Sequence, residues 1–166
     1  MSDPIFERVS IRKYEARPVE DEKIRLLVQA GFQAPSGKNQ KPWEFYVVTN
    51  EEKKKELSTM HPWAGHVADA PLVIVVCVRN HDLIAPGTRH LEGAAATENI
   101  LLGAVTLGLG ACWIGTNPSE ELMAHVCKTL DIPDTLEPTS VISIGYPAEG
   151  RPQKNRYRDE KVHFVK

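Results

Sequence analysis

Leu72-Val73-Ile74-Val75-Val76-Cys77-Val78 is an unbroken apolar run, rich in valine, between Pro71 and Arg79. A short run of this kind reads as a buried central strand. Irregular segments flank it at 61–71, which contains Trp63 and His66, and at 80–89. Further strands are expected at 45–49, 112–116 and 139–144. Helices are expected at 4–9, with Asp3 as N-cap and Pro4 at the first helical position, and at 19–32, where Ile24, Leu27, Val28 and Gly31 share one face. Others are expected at 51–60 behind an Asn50 cap, at 91–109, where small residues allow close packing, and at 118–130. Helices and strands interleave, so the class is α/β or α+β.

Before the strand at 45–49 stands Ala34-Pro35-Ser36-Gly37-Lys38-Asn39-Gln40-Lys41-Pro42-Trp43. Pro35, Gly37 and Pro42 fix or free the backbone at set points, which makes this a shaped loop. It presents a hydroxyl and two carboxamides. Carboxamides donate and accept, which suits the edge of a planar heterocycle carrying alternating C=O and N–H groups. An ordinary helix-to-strand connection is the other reading.

The chain has 166 residues, a length expected for a single domain spanning 1–166. A formal net charge of -2 gives no reason to expect a nucleic-acid or membrane partner. Residues 99–119 carry no charge, yet Gly103, Gly108, Gly110, Gly115 and Pro118 divide them into a helix and a strand, so a membrane span is not expected. The N-terminus lacks the layout of a signal peptide. Cys77, Cys112 and Cys127 form no Cys-x-x-Cys pair, which fits free thiols in a reducing, cytoplasmic compartment. The six histidines show no metal-ligand spacing, and no metal is expected.

Two basic clusters carry chemistry. Arg8, Ser10 and Arg12 alternate after the first helix, and in extended backbone they face one side. Two guanidinium forks around a hydroxyl make a phosphate cradle; the alternative is an exposed basic segment. Lys154-Asn155-Arg156 is the second cluster, in a polar tail that ends in Val162-His163-Phe164-Val165. An arm with an apolar tip is expected to dock, for instance on a second subunit. Gly108-Leu109-Gly110-Ala111-Cys112-Trp113 is no dinucleotide fingerprint: it follows a helix and ends in tryptophan. Phosphate, if bound, is bound by side chains.

In order along the chain, four motifs resemble the nitroreductase family of FMN-dependent oxidoreductases. They are Arg8-Val9-Ser10-Ile11-Arg12-Lys13-Tyr14; the loop 34–43; Glu98-Asn99-Ile100-Leu101-Leu102 leading to Gly108-Leu109-Gly110-Ala111-Cys112-Trp113-Ile114-Gly115; and Ile144-Gly145-Tyr146-Pro147-Ala148-Glu149. The resemblance implies an α+β fold: a three-layer α-β-α sandwich around a mixed, mostly antiparallel sheet, with the C-terminal arm exchanged across a homodimer. It implies two FMN sites at the interface. Arg8, Ser10 and Arg12 then correspond to phosphate and pyrimidine ligands, and Lys154 and Arg156 to a C-terminal phosphate clamp. Pro35, Ser36, Asn39 and Gln40 correspond to the loop the other subunit lays on the flavin, and Trp113, Ile114 and Gly115 to the strand end beside N5. The flavin carries the chemistry, so no catalytic side chain is expected. The implied activity is ping-pong transfer of electrons from NADH or NADPH to nitroaromatic, quinone or similar acceptors. A non-catalytic flavin-binding protein, or a diverged dehalogenase or dehydrogenase, are the alternatives. Trp63, His66 and His90 lie where they could reach the cleft, surface packing being their ordinary role.

Overall fold

A computed structural model of the chain describes residues 3–153 and 155–166. Its helices are α1 (Pro4–Glu7), α2 (Asp21–Phe32), α3 (Glu51–Ser58), α4 (Arg89–Thr106) and α5 (Glu120–Leu130). Its strands are β1 (Trp43–Val48), β2 (Leu72–Arg79), β3 (Gly110–Gly115) and β4 (Leu136–Gly145).

The strands form one sheet in the order β1-β2-β4-β3, with antiparallel pairs throughout. Parallel pairing is confined, among the described residues, to a single bridge between Ser10 and Ala111. The valine run is central and fully buried because each face has its own cover. Leu72, Ile74 and Val76 pack with Ile142 and Ile144 against Leu27 of α2 and Ala96, Ile100, Leu101 and Ala104 of α4. Val73, Val75 and Cys77 pack with Val141 against Leu57 of α3 and Val126 of α5. Period-two alternation thus survives inside a run that looks uniformly apolar. The result is α+β, a sheet between two helical layers.

Local chemistry sets the helix ends. The Asp3 side chain accepts from the Ile5 N–H, with Pro4 in the first turn. The Asn50 side chain accepts from the Lys53 N–H at 2.9 Å. Helix α5 starts at Glu120, later than expected, because Ser119 is its cap and accepts from Leu122 N–H. Helix α1 stops short of Val9 because the following residues pair with the sheet: Ile11 N–H donates to Ala111 O at 3.0 Å. Helix α4 ends before Leu109 because Gly108 turns at φ 73°, a left-handed conformation open to glycine.

Strand β4 is longer than expected. Pro138 conceals its start, since proline lacks the N–H a central ladder needs. A register shift between Val76 and Cys77 takes up that missing bond.

Candidate functional site

The site is built on the edge strand β3. Beside it runs the segment of residues 10–12, bridged at Ser10 to Ala111. Its close approach needs Gly110: a Cβ there would lie 2.8 Å from Ile11 Cβ. Three further bonds hold the segment. Arg12 N–H donates to Glu149 Oε1 at 2.7 Å. Glu15 N–H donates to Tyr146 O, and Ala148 N–H to Lys13 O, each at 2.9 Å. Beneath it the Tyr14 hydroxyl donates to Ile11 O at 2.6 Å, and its oxygen lies 2.7 Å from Ser143 Oγ.

This arrangement places Ser10 and Arg12 on a cleft of about 510 Å³ whose other walls include Arg151, Pro152 and Arg156. The two basic clusters of the sequence therefore converge. Arg151 pairs with Glu149 at 3.2 Å. The guanidinium groups of Arg12 and Arg156 form no ion pair among the described residues. Two cations facing one cleft without a counter-ion favour an anion there. Arg8 sits apart: it pairs with Glu98 at 3.3 Å and lines a neighbouring hollow with Arg156, Ile5 and Phe6. Lys154 lies outside the described residues.

Arg12 also borders a second hollow of about 250 Å³. Its walls include Trp113, Ile114 and Gly115, together with Trp63, His66 and Cys112. Trp63 is 80% exposed and Trp113 36%, so indole surface is open at the mouth. Burial pushes the Cys112 thiol up, more than the nearby Arg12 draws it down, which makes it a neutral strand thiol. His90 does not join this group. Its Nε2 lies 2.9 Å from Glu137 Oε2 and 3.2 Å from Asn117 Nδ2.

The loop 34–43 is at the other edge of the sheet, ahead of β1. Three inter-strand spacings, roughly 14 Å, separate the two edges. Within the loop most polar groups shape the backbone. Ser36 Oγ accepts from Lys41 N–H at 3.0 Å. The Gln40 carboxamide donates to Ala85 O and to both Glu92 carboxylate oxygens, and accepts from Ala85 N–H. Lys38, Asn39 and Lys41 all have positive φ. Pro35 and the Asn39 side chain are exposed. One chain therefore does not bring this loop to the arginines.

Sequence reasoning missed the anchors. Glu92, 4% exposed, accepts from Gly37 N–H at 2.8 Å and Thr88 Oγ1 at 2.6 Å. A charged residue in the small-residue stretch opening α4 was its only signal. Arg151 and Glu149 had none beyond lying in the basic tail and the last motif.

A larger cleft of about 610 Å³, bordered by Arg17, Lys54 and Pro71, fits an anion less well. Two of its cations are already partnered, Lys54 with Glu51 at 2.8 Å and Arg17 with Glu20 at 2.8 Å, and the acids Glu51 and Asp69 line it beside Lys55. Among the described residues no helix is long and apolar enough to cross a membrane.

Three comparisons bear on this geometry. A protein of Methanothermobacter thermautotrophicus, provisionally named NADH dehydrogenase/NAD(P)H nitroreductase, is 37% identical over 99% of this chain and 86% of its own length. A crystal structure from Clostridium acetobutylicum, provisionally an NADH oxidase, superposes with a TM-score of 0.95 at 38% identity, covering 99% of both chains. An FMN-dependent nitroreductase of Clostridium difficile superposes with a TM-score of 0.90 at 31% identity, covering 98% of both chains. The model of the nitroreductase family matches residues 5–61 and 59–146, and the chain belongs to that family.

Proposed function

We propose that the cleft beside β3 binds FMN and that a second copy of the chain completes it. Family membership makes the chain an FMN-dependent oxidoreductase with NAD(P)H as donor. The observation that carries the site assignment is the convergence of Arg12 and Arg156, unpaired, on one cleft. A phosphate monoester is a dianion that guanidinium forks bind in a bidentate way. Arg8, Ser10, Lys154 and Arg156 are assigned to the phosphate side, and Arg12 to the pyrimidine edge. Trp113, Ile114 and Gly115 are assigned to the edge near N5.

The cofactor supplies two-electron chemistry; the chain's residues bind it, bias its charge and leave one face open. A positive Arg12 at the pyrimidine edge stabilises negative charge there and favours reduction. One open face serves donor and acceptor in turn, which gives ping-pong kinetics with nitroaromatic, quinone or similar acceptors. The exposed indoles of Trp63 and Trp113 suit planar acceptors.

The homodimer is inferred from incompleteness and from exposed apolar surface. Asn39, Pro35, Ser36 and Gln40 reach the cleft only from another copy. Ile5 and Phe6 on α1 are 68% and 73% exposed, and Phe164 and Val165 in the C-terminal arm 77% and 97%. Surface of this kind marks an interface, with the arms crossing to the partner. The whole chain acts as one flavin-binding domain, and its three free thiols suit the cytoplasm.

The test is a visible absorbance spectrum of the purified protein, then chromatography of the chromophore released by heat. A two-band flavin spectrum with FMN released is expected. A colourless protein that does not take up added FMN overturns the reading.

A further inference from the structure

His66 belongs to the short turn Gly65–Val67 and lines the hollow shared by Arg12, Cys112 and Trp113. Its Nδ1 lies 2.9 Å from Ser143 Oγ, which lies 2.7 Å from the Tyr14 hydroxyl. Ser143 is fully buried. Its neighbours fix where the hydrogens go. Tyr14 has one hydrogen and two carbonyl acceptors, Ile11 O at 2.6 Å and Ser143 O at 3.0 Å, which leaves its oxygen free to accept from Ser143 Oγ at 2.7 Å. Burial pushes that phenol far above its ordinary value, so it holds its proton.

Ser143 therefore has one hydrogen and two neighbours. With the hydrogen turned toward Tyr14, His66 Nδ1 carries a proton and Nε2 is an acceptor. Turned toward His66, it makes Nε2 the donor. With both ring nitrogens protonated, Nδ1–H donates to Ser143 and the hydroxyl turns to Tyr14. Rotation of one buried hydroxyl accommodates every protonation state of the ring. Nε2 has no hydrogen-bond partner among the described residues.

The groups around the ring are few. Arg12 and Tyr14 come from the N-terminal segment, Cys112 from β3, Glu149 from beyond β4 and His61 from the ring's own segment. Burial first, then Arg12, lowers the His66 pKa, against the pull of Glu149. New negative charge in the hollow acts in the opposite sense.

We propose that His66 is the proton carrier of this site, taking up one proton when bound flavin becomes anionic on reduction and passing it to the acceptor with the electrons. This rests on the FMN reading above. The balance closes: NAD(P)H gives one hydride, and His66 takes one proton from water. A quinone then accepts the hydride at one oxygen and the His66 proton at the other. It leaves as hydroquinone, while His66 returns to neutral.

The experiment is the midpoint potential of bound FMN against pH, for wild type and His66→Gln. Wild type is expected to take up two protons per two electrons in a window around neutral pH, between the pKa of His66 beside oxidised flavin and its raised value beside reduced flavin, with a break to one proton in base. His66→Gln is expected to show one proton per two electrons throughout. A break that persists unchanged in His66→Gln overturns the proposal. Should His66→Gln fail to hold FMN, Ser143→Ala decides: the imidazole remains but loses its Nδ1 partner, so the break must move along the pH axis. An unmoved break overturns the proposal. A wild type without bound FMN overturns the flavin reading itself; superimposable curves with FMN bound overturn only the role of His66.

Discussion

Arg12 donates its main-chain N–H to Oε1 of Glu149 across 2.7 Å, and the same oxygen pairs with Arg151 at 3.2 Å. One carboxylate thus positions two arginines of the cleft. The Arg12 N–H bond, with Arg151 adding to it, holds Glu149 below the ordinary carboxylate range. Glu149→Ala is expected to weaken FMN binding by roughly tenfold, the effect of losing one charge-assisted hydrogen bond. The melting temperature of the apoprotein is expected to change little. Fluorescence titration with FMN, beside a thermal scan, checks both.

Arg12→Ala and Arg156→Ala remove cations that have no acidic partner among the described residues. Each is expected to cost roughly 10- to 100-fold in FMN affinity without destabilising the apoprotein. Raising salt is expected to weaken wild type more than either variant. Calorimetric titration at two ionic strengths reads the difference.

Gly110→Ala tests the backbone route to the site. The new methyl would stand 2.8 Å from Ile11 Cβ, so the segment carrying Ser10 and Arg12 must move off β3. Overpacking of this kind costs about 1–3 kcal/mol. The variant is expected to lose both melting temperature and FMN affinity, unlike the arginine variants. Retention of both would show that the segment tolerates displacement.

These elements differ in how far the sequence disclosed them. The strand 72–78 was legible because a long valine run has few other uses, and α3 because Asn50 and its acidic first turn announce a start. The β4 start was not, since Pro138 reads as a break until its bulge is seen. Alternation put Arg8, Ser10 and Arg12 on one side of the segment, but spacing could not show that Arg8 turns to Glu98 while Arg12 faces the cleft. Ser36 and Gln40 carry the right chemistry for a heterocycle edge, yet Lys41, Ala85 and Glu92 take up their hydrogen bonds. Such partners are brought together by the fold and leave no local pattern.

Glu92 accepts from Gly37, Gln40 and Thr88 together. Glu92→Ala leaves Gly37 N–H without its partner, at about 1–3 kcal/mol where water cannot reach it, while Gln40 Nε2 and Thr88 Oγ1 keep their bonds to Ala85 O. The expected outcome is a clear fall in the denaturation midpoint and faster amide exchange at Gly37 and Gln40. Exchange rates equal to wild type would count against Glu92 as the loop's anchor.

Acid stability follows from shifts of known sign. The His66 pKa is lowered below 6.5 on folding, so the unfolded chain binds the extra proton, and apoprotein stability falls as pH drops below about 6.5. Glu137, held below 4.5 by Arg89, stabilises the fold above that value, and its contribution is lost as pH falls further. Urea midpoints are expected to decline in these two stages. His66→Gln is expected to reduce the first stage, to which His90, also lowered by burial, contributes the rest, and to leave the second.

The most direct test of the central claim compares FMN with riboflavin, which lacks the phosphate. The account predicts that wild type binds FMN at least roughly 100-fold more tightly, as two or more charge-assisted contacts imply. Combining Ser10→Ala with Arg156→Ala is expected to remove most of that preference, whereas Arg12→Ala, at the pyrimidine edge, is expected to weaken both flavins alike. Equal affinity of wild type for the two flavins would contradict a phosphate cradle beside β3.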